Sequence, residues 1–148
     1  MSTRHELPLS ATHQVRDACL CLHVQRAARA LARRFDNVFR PFDLTHGQFS
    51  LLMSLNRPEP PTLGSVADLL AMDRTTLTAA LKPLERRRLV KVSVDKDDRR
   101  SRRLAITSAG RLLLSKVFPL WVRAHTEVER MVPHRGAGAL RTALGALS

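Results

Sequence analysis

The sequence predicts a mostly α-helical fold with one small β-hairpin, and three observations carry that expectation. Apolar residues recur at steps of three and four over most of the 148 residues. Strict apolar–polar alternation appears in one place, where LVKVSV and RLAIT flank a charged turn. Just before that hairpin, two short helical patterns are separated only by Ala71-Met72-Asp73, the spacing of a helix-turn-helix. The predicted architecture is a helix-turn-helix with a hairpin wing, flanked by long helices at both ends.

The elements follow in order. Residues 1–9 read as a loosely packed arm. Residues 10–39 read as one long helix, with Leu20, Val24, Ala27, Leu31, Phe35, Val38 and Phe42 forming a single apolar stripe. Arg40-Pro41 ends it. This helix is long for what one small domain can cover, which points to a second chain packed on part of it. Thr45 is the expected N-cap of HGQFSLLMSLN. RPEPP is a stiff loop that cannot be helical throughout. Thr62 or Gly64 opens LGSVADLLAM, and DRTTLTAALKPLER is the second helix of the pair. In the hairpin, Val90, Val92 and Val94 face Leu104 and Ile106. Thr107 or Ser108 caps a helix over 109–132 that Pro119 should bend, and a last small helix ends at Leu147.

A chain of this length buries roughly 70% of its unfolded surface, enough for a core without disulfides or metals. Its net charge is +12, and the excess is concentrated. From Asp73 to Arg103 eleven Lys or Arg stand against five Asp or Glu, so half the net charge lies in a fifth of the chain. Clustering of that kind favours a footprint on a polyanion over general solubility. No apolar run approaches the ~18 residues that span a bilayer, and the start lacks a charged-then-apolar signal pattern. A cytosolic protein is expected, with Cys19 and Cys21 reduced at rest.

With Leu77 on the core side of its helix and 100° per residue, Leu81 and Leu84 share its face. Thr75, Thr78, Ala79, Lys82 and Arg86 fall opposite. Short hydroxyls and methyls can reach base edges in a major groove, while longer cations find phosphates. A solvated helix gains little from Thr75, Thr76 and Thr78, because Thr is a mediocre helix former. Pro83 lacks an N–H and frees the Ala79 carbonyl, so a kink is expected there. At the hairpin tip Arg99, Arg100, Arg102 and Arg103 are interleaved with Asp95, Asp97 and Asp98. An arginine on a projecting tip suits a narrow minor groove, and an adjacent aspartate can hold a guanidinium in a fixed fork.

The order of helices, SVADLLAMDRTTLTAALKPLERRRLVKV and DKDDRRSRRLAITSAGRLLL together resemble a MarR-family winged-helix regulator over essentially the whole chain. The resemblance implies a single domain over 1–148, with dimerisation helices at 10–40 and 109–147 and a winged helix-turn-helix at 45–107. It places Arg100 at the wing tip, Asp98 as the acid that steadies it, and Thr75, Thr76, Thr78 and Lys82 on the recognition helix. Ser65 and Arg74 become contacts to the DNA backbone, with Arg86, Arg99 and Arg102 in the same basic footprint. It further implies a homodimer on a pseudo-palindromic operator in double-stranded DNA. A repressor released by a small aromatic or anionic effector is the regulatory mode implied. Two positions depart from the family pattern. Ala79 and Ala80 stand where many relatives have larger polar residues, and Arg88 stands where glycine often ends the helix. A left-handed cap is costly for arginine, so a different helix end is expected.

Cys19 and Cys21 point about 200° apart on one helix, a poor geometry for a shared metal or a bridge. Cys21 leans towards Ala28, Ala32 and Phe35, a core-like neighbourhood. Cys19 has Arg16 and His23 one turn away, neighbours that could activate a thiol, so a redox or electrophile sensor of the same fold is an alternative. Cys19, His23, His46, Trp121 and His125 are the candidate border of an effector cavity. The six histidines show no metal-ligand spacing, and no cofactor is expected. There is no glycine-rich phosphate loop, nucleophile elbow or convergent carboxylate pair, which argues against an enzyme. Two competitors from other classes remain open: a basic winged-helix module that docks RNA or protein, and a membrane-surface role for QRAARALARR.

Overall fold

A computed structural model describes residues 6–148; Met1 to His5, in the expected arm, lie outside the described residues. Among the described residues seven α-helices and a two-stranded antiparallel sheet follow the predicted order, in two compact units that divide between Arg34 and Phe35.

The first unit holds α1 (Leu9–Ala18) and most of α2 (Leu20–Phe39). The expected continuous helix is therefore interrupted, and the break is Cys19, whose backbone is extended at φ −70°, ψ 109°. Its local bonds explain how two helices meet there. The Cys19 N–H closes α1 on the Val15 carbonyl at 3.0 Å, while its thiol accepts the Leu22 N–H at 3.4 Å. Cys19 thus does for α2 what a Ser or Asp N-cap does for other helices. With the break at Cys19, the two cysteines do not lie on one continuous helix. Cys21 is exposed in the chain, not core-like.

In the second unit a 3₁₀ turn, Arg40–Phe42, follows α2. Then α3 (His46–Ser54) is entered through a capping box in which Thr45 and Gln48 satisfy each other's backbone N–H. The helix-turn-helix is α4 (Leu63–Leu70), capped by Thr62, and α5 (Arg74–Arg86), capped by Asp73. α5 remains helical through Pro83. The strands are β1 (Val90–Val94) and β2 (Arg102–Ile106), in the register Val90↔Ile106 and Val92↔Leu104. Last come α6 (Ser108–Arg130), capped by Thr107, and α7 (Gly136–Gly145). Alternating burial explains the hairpin: Val90, Leu104 and Ile106 enter the same core as Leu77, Leu81 and Leu84 of α5. Phe39, Phe49, Leu51, Leu52 and Leu55 complete it from α2 and α3.

Both helices of the pair end in left-handed residues that are not glycine. At the end of α5 the Leu89 N–H reaches the Leu84 carbonyl and the Arg88 N–H the Glu85 carbonyl, with Arg88 at φ 58°. This is a Schellman turn, and Leu84 and Leu89, both buried, supply its apolar contact. The expectation of a different ending is thus corrected: arginine takes the glycine conformation. Two interactions oppose its backbone strain, the Leu84–Leu89 burial and the Thr107 hydroxyl bonded to the Arg88 carbonyl at 2.7 Å. Ala71 ends α4 the same way at φ 52°. Arg88→Gly should therefore raise stability by about 0.5–1 kcal/mol, seen as a small increase in thermal midpoint. A midpoint that falls would show that the Arg88 side chain contributes more than its backbone costs.

Candidate nucleic-acid interface

α5 is oriented by Leu77, Leu81 and Leu84, all at most 2% exposed. Burying these three fixes which side faces out, and Arg74, Thr75, Thr76, Thr78, Ala79, Lys82 and Arg86 are all exposed. The three threonines differ in their bonding. Thr76 is committed to the helix start: its N–H and hydroxyl bond the two carboxylate oxygens of Asp73 at 2.7 and 2.9 Å. The Thr76 N–H, then its hydroxyl, hold the Asp73 carboxyl below its ordinary range. The Thr78 hydroxyl donates to the Arg74 carbonyl one turn back, at 2.7 Å.

Between α5, the start of α4 and the hairpin lies a cleft of about 400 Å³. Arg74, Thr78 and Lys82 line one side of it, and Arg100, Ser101 and Arg102 the other. Gly64 forms part of its floor beneath the Arg74 guanidinium; a Cβ there would sit 3.0 Å from Nη2. Four cations from two elements thus converge on one concave surface, a shape suited to an anionic backbone. Ser65, in the first turn of α4, is exposed, with its hydroxyl on the Thr62 carbonyl at 2.9 Å. Arg86 and Arg99 are exposed without lining this cleft.

At the tip, Asp98 differs from its expected role. Its carboxylate accepts the Arg100 backbone N–H at 3.0 Å, so it fixes the turn and not the guanidinium. Arg102 folds back on the tip, its Nη1 reaching the carbonyls of Arg99 and Ser101 at 3.2 and 3.3 Å. The arginine held by an aspartate is Arg103, whose Nε lies 3.2 Å from Asp95 and whose Nη1 donates to the Pro60 carbonyl at 3.0 Å. Bonding to Arg103 lowers the Asp95 carboxyl from its ordinary value.

Sequence reasoning missed what sets the wing's position. The Leu104 N–H bonds the Pro61 carbonyl at 2.9 Å, and Thr62 bridges Arg103, so the proline loop extends the sheet for a residue or two. Prolines cannot donate, yet their carbonyls remain free to accept, which is the signal that RPEPP offered. Arg87 is likewise tied into the fold: its guanidinium donates to the carbonyls of Phe42 and Asp43 and joins the end of α5 to the turn after α2.

The candidate effector residues are placed as follows. Cys19 and His23 belong to the first unit. The His23 ring donates to the Cys19 carbonyl at 2.7 Å, and Arg16 is paired with Asp17 at 2.6 Å. Neither expected activator is bonded to the thiol. His46 bonds Asp36 through its N–H at 2.7 Å and its ring at 2.8 Å, joining α2 to the start of α3. Those bonds, the backbone one foremost, lower the Asp36 carboxyl. Trp121 stacks on His125 at 4.6 Å and on Phe118 at 5.9 Å. With Phe49, Met53, Leu69, Leu70 and Phe118 it lines an apolar cleft of about 430 Å³. Among the described residues no three His, Cys, Asp or Glu are placed to hold a metal. No described helix is long and apolar enough to cross a membrane.

A capped helix pair whose second helix presents an exposed polar face, next to an arginine-tipped hairpin, defines a winged helix-turn-helix protein. Residues 44–101 match the model of the MarR family. The fold superposes with a TM-score of 0.79 on the M. tuberculosis transcriptional regulator MosR, solved in complex with DNA. The two are 34% identical, covering 87% of this chain and 92% of that one. A similar fold, at 19% identity and TM-score 0.79, is that of an E. coli MarR variant complexed with operator DNA, covering 90% and 96% of the two chains. The transcriptional regulator SarZ of Staphylococcus aureus is 23% identical over 108 residues, 73% of each chain. The chain belongs to the MarR family of transcriptional regulators. Its relatives are regulators and not enzymes.

Proposed function

We propose that this chain acts in the cytoplasm as a homodimeric repressor of a pseudo-palindromic operator, released by a small aromatic or anionic effector. The observation that carries the DNA part is the convergence of Arg74, Lys82, Arg100 and Arg102 on one cleft beside the exposed threonine face. In this reading α5 enters the major groove and Arg100 the adjacent minor groove, with Arg74, Lys82, Arg86 and Arg99 on phosphates. Ser65, Thr76, Asp98 and Arg102 order the surfaces that do so. Dimer formation is supported by large apolar side chains left exposed in the terminal helices, among them Leu9, Val15 and Leu20, and Leu112, Phe118 and Leu144.

The test is selection of preferred duplexes from a random pool, followed by binding measurements across a salt series. Enriched half-sites should lie about one helical turn apart. Each phosphate contact should contribute roughly −0.9 to the slope of log affinity against log salt. A monomer, or equal affinity for every duplex, would end the operator reading and favour a docking module.

The apolar cleft beside Trp121 supports the effector part of the reading. Trp121 is the single tryptophan of the chain, so a ligand entering that cleft should change its fluorescence. An aromatic acid bound there at a hundred times its dissociation constant should stabilise the native state by about 2.7 kcal/mol. Thermal-shift screening of aromatic acids checks this, and Leu70→Glu, which places a charge of the ligand's own sign in the cleft wall, should abolish the shift. A ligand whose shift survives that change binds elsewhere.

A further inference from the structure

The hydroxyl groups on α5 are not all available to DNA. Thr76 spends its hydroxyl on Asp73, and Thr78 donates its own to the Arg74 carbonyl. Folding a threonine oxygen back onto its own helix turns the γ-methyl towards the outer surface. Ala79, the next residue, is exposed and offers only its β-methyl. Thr75, Thr78 and Ala79 stand at i, i+3 and i+4, so they are neighbours on one helix face. Opposite them Leu77, Leu81 and Leu84 are buried, which fixes this face outward. No side chain on the patch is long, and no amide is present to make a bidentate bond to a base.

We propose that the centre of this recognition helix reads thymine 5-methyl groups, with the Thr78 methyl and Ala79 as the surfaces that select them. The inference rests on the operator reading above and adds the chemical feature read. Thymine is the only standard base that presents a methyl in the major groove. An apolar patch of three small side chains can meet that methyl closely, whereas it can satisfy few base donors or acceptors. Sequence preference then arises from methyl contact at the helix, while the long cations around the patch hold phosphates irrespective of sequence.

The duplex enriched by selection with the unaltered protein provides the probe. Replacing its thymines one at a time with deoxyuridine removes the methyl and leaves the base-pairing edge intact. At one or two positions per half-site affinity should fall about fourfold, the equivalent of ~0.8 kcal/mol per buried methyl group. Thr78→Ser, which keeps the hydroxyl and deletes the methyl, should cost a similar factor. Thr78→Val, which keeps the methyl and deletes the hydroxyl, should bind more tightly than Thr78→Ser and keep the uracil sensitivity that Thr78→Ser loses. Uracil at the position facing residue 78 should cost Thr78→Ser nothing further, since the same contact is already lost. Enrichment of a sequence that tolerates every thymine-to-uracil change overturns methyl reading and leaves the operator reading intact. So does the reverse order of the two Thr78 variants. Failure to enrich any sequence overturns both. The uracil series needs no altered protein, so a poorly folded variant does not blunt the test.

Discussion

Gly110→Ala should unfold this protein at a markedly lower temperature, although the same change in most helices is stabilising. Gly110 is buried in the first turn of α6, whose N-cap Thr107 receives its N–H at 3.1 Å. A Cβ there would lie 2.5 Å from the Leu89 carbonyl oxygen and 2.7 Å from Cγ1 of Ile106. The first neighbour is backbone, and it is already engaged: the Leu89 carbonyl accepts the Thr107 N–H at 3.0 Å. Leu89 is also the last residue of the Schellman turn of α5. Relief of the clash would push apart the end of the recognition helix, strand β2 and the start of α6 together. Helix propensity alone favours Ala over Gly by about 0.8–1 kcal/mol. Overpacking of this severity costs roughly 1–3 kcal/mol or more, so the clash should win. At ~2–4 °C per kcal/mol for a chain of this size, a fall in midpoint of several degrees is expected in a thermal melt. A midpoint that stays or rises would show that α6 can shift away from Leu89 at little cost.

That junction also shows what could and could not be read from the sequence. The caps were partly legible because they are local: Thr45 was expected outright, Thr62 and Thr107 each as one of two choices, and each bonds the N–H three residues on. Asp73, for which no cap was expected, does the same for α5. The hairpin was legible from the alternation of valines against Leu104 and Ile106, while its pairing, Val90 with Ile106 and Val92 with Leu104, comes from the fold. The interruption at Cys19 was not, since apolar periodicity continues across it and cysteine is a rare cap. Contacts over 43 to 45 residues, Arg103 to Pro60 and Arg87 to Phe42 and Asp43, leave no periodic trace at all. Composition ranked every arginine of the 73–103 segment alike. The fold divides them into those that hold carbonyls, such as Arg87, Arg102 and Arg103, and those directed to solvent, such as Arg86, Arg99 and Arg100. The threonines divide in the same way, and neither division follows from spacing.

Arg100→Ala should weaken operator binding by one to two orders of magnitude while leaving the melting temperature nearly unchanged. The second half of that expectation follows from bonding: Asp98 holds the Arg100 backbone N–H, which alanine retains, and residue 100 is exposed. The first half uses the ~1–3 kcal/mol typical of an arginine lost from a specific DNA contact. Arg103→Ala supplies the contrast. Its guanidinium is turned to Asp95 and Pro60, so its loss frees the base of the wing without removing a phosphate contact. Affinity should fall in both variants, but the salt slope should decrease only for Arg100→Ala, which withdraws a cation from the minor groove and the counterion release that goes with it. Arg100→Lys should restore that slope more fully than the affinity, because an ammonium is more strongly hydrated and lacks the planar fork. A wild-type affinity for Arg100→Ala would remove the wing tip from the groove. An equal loss of slope in Arg103→Ala would mean that the clamp opens on DNA and that Arg103 itself reaches phosphate.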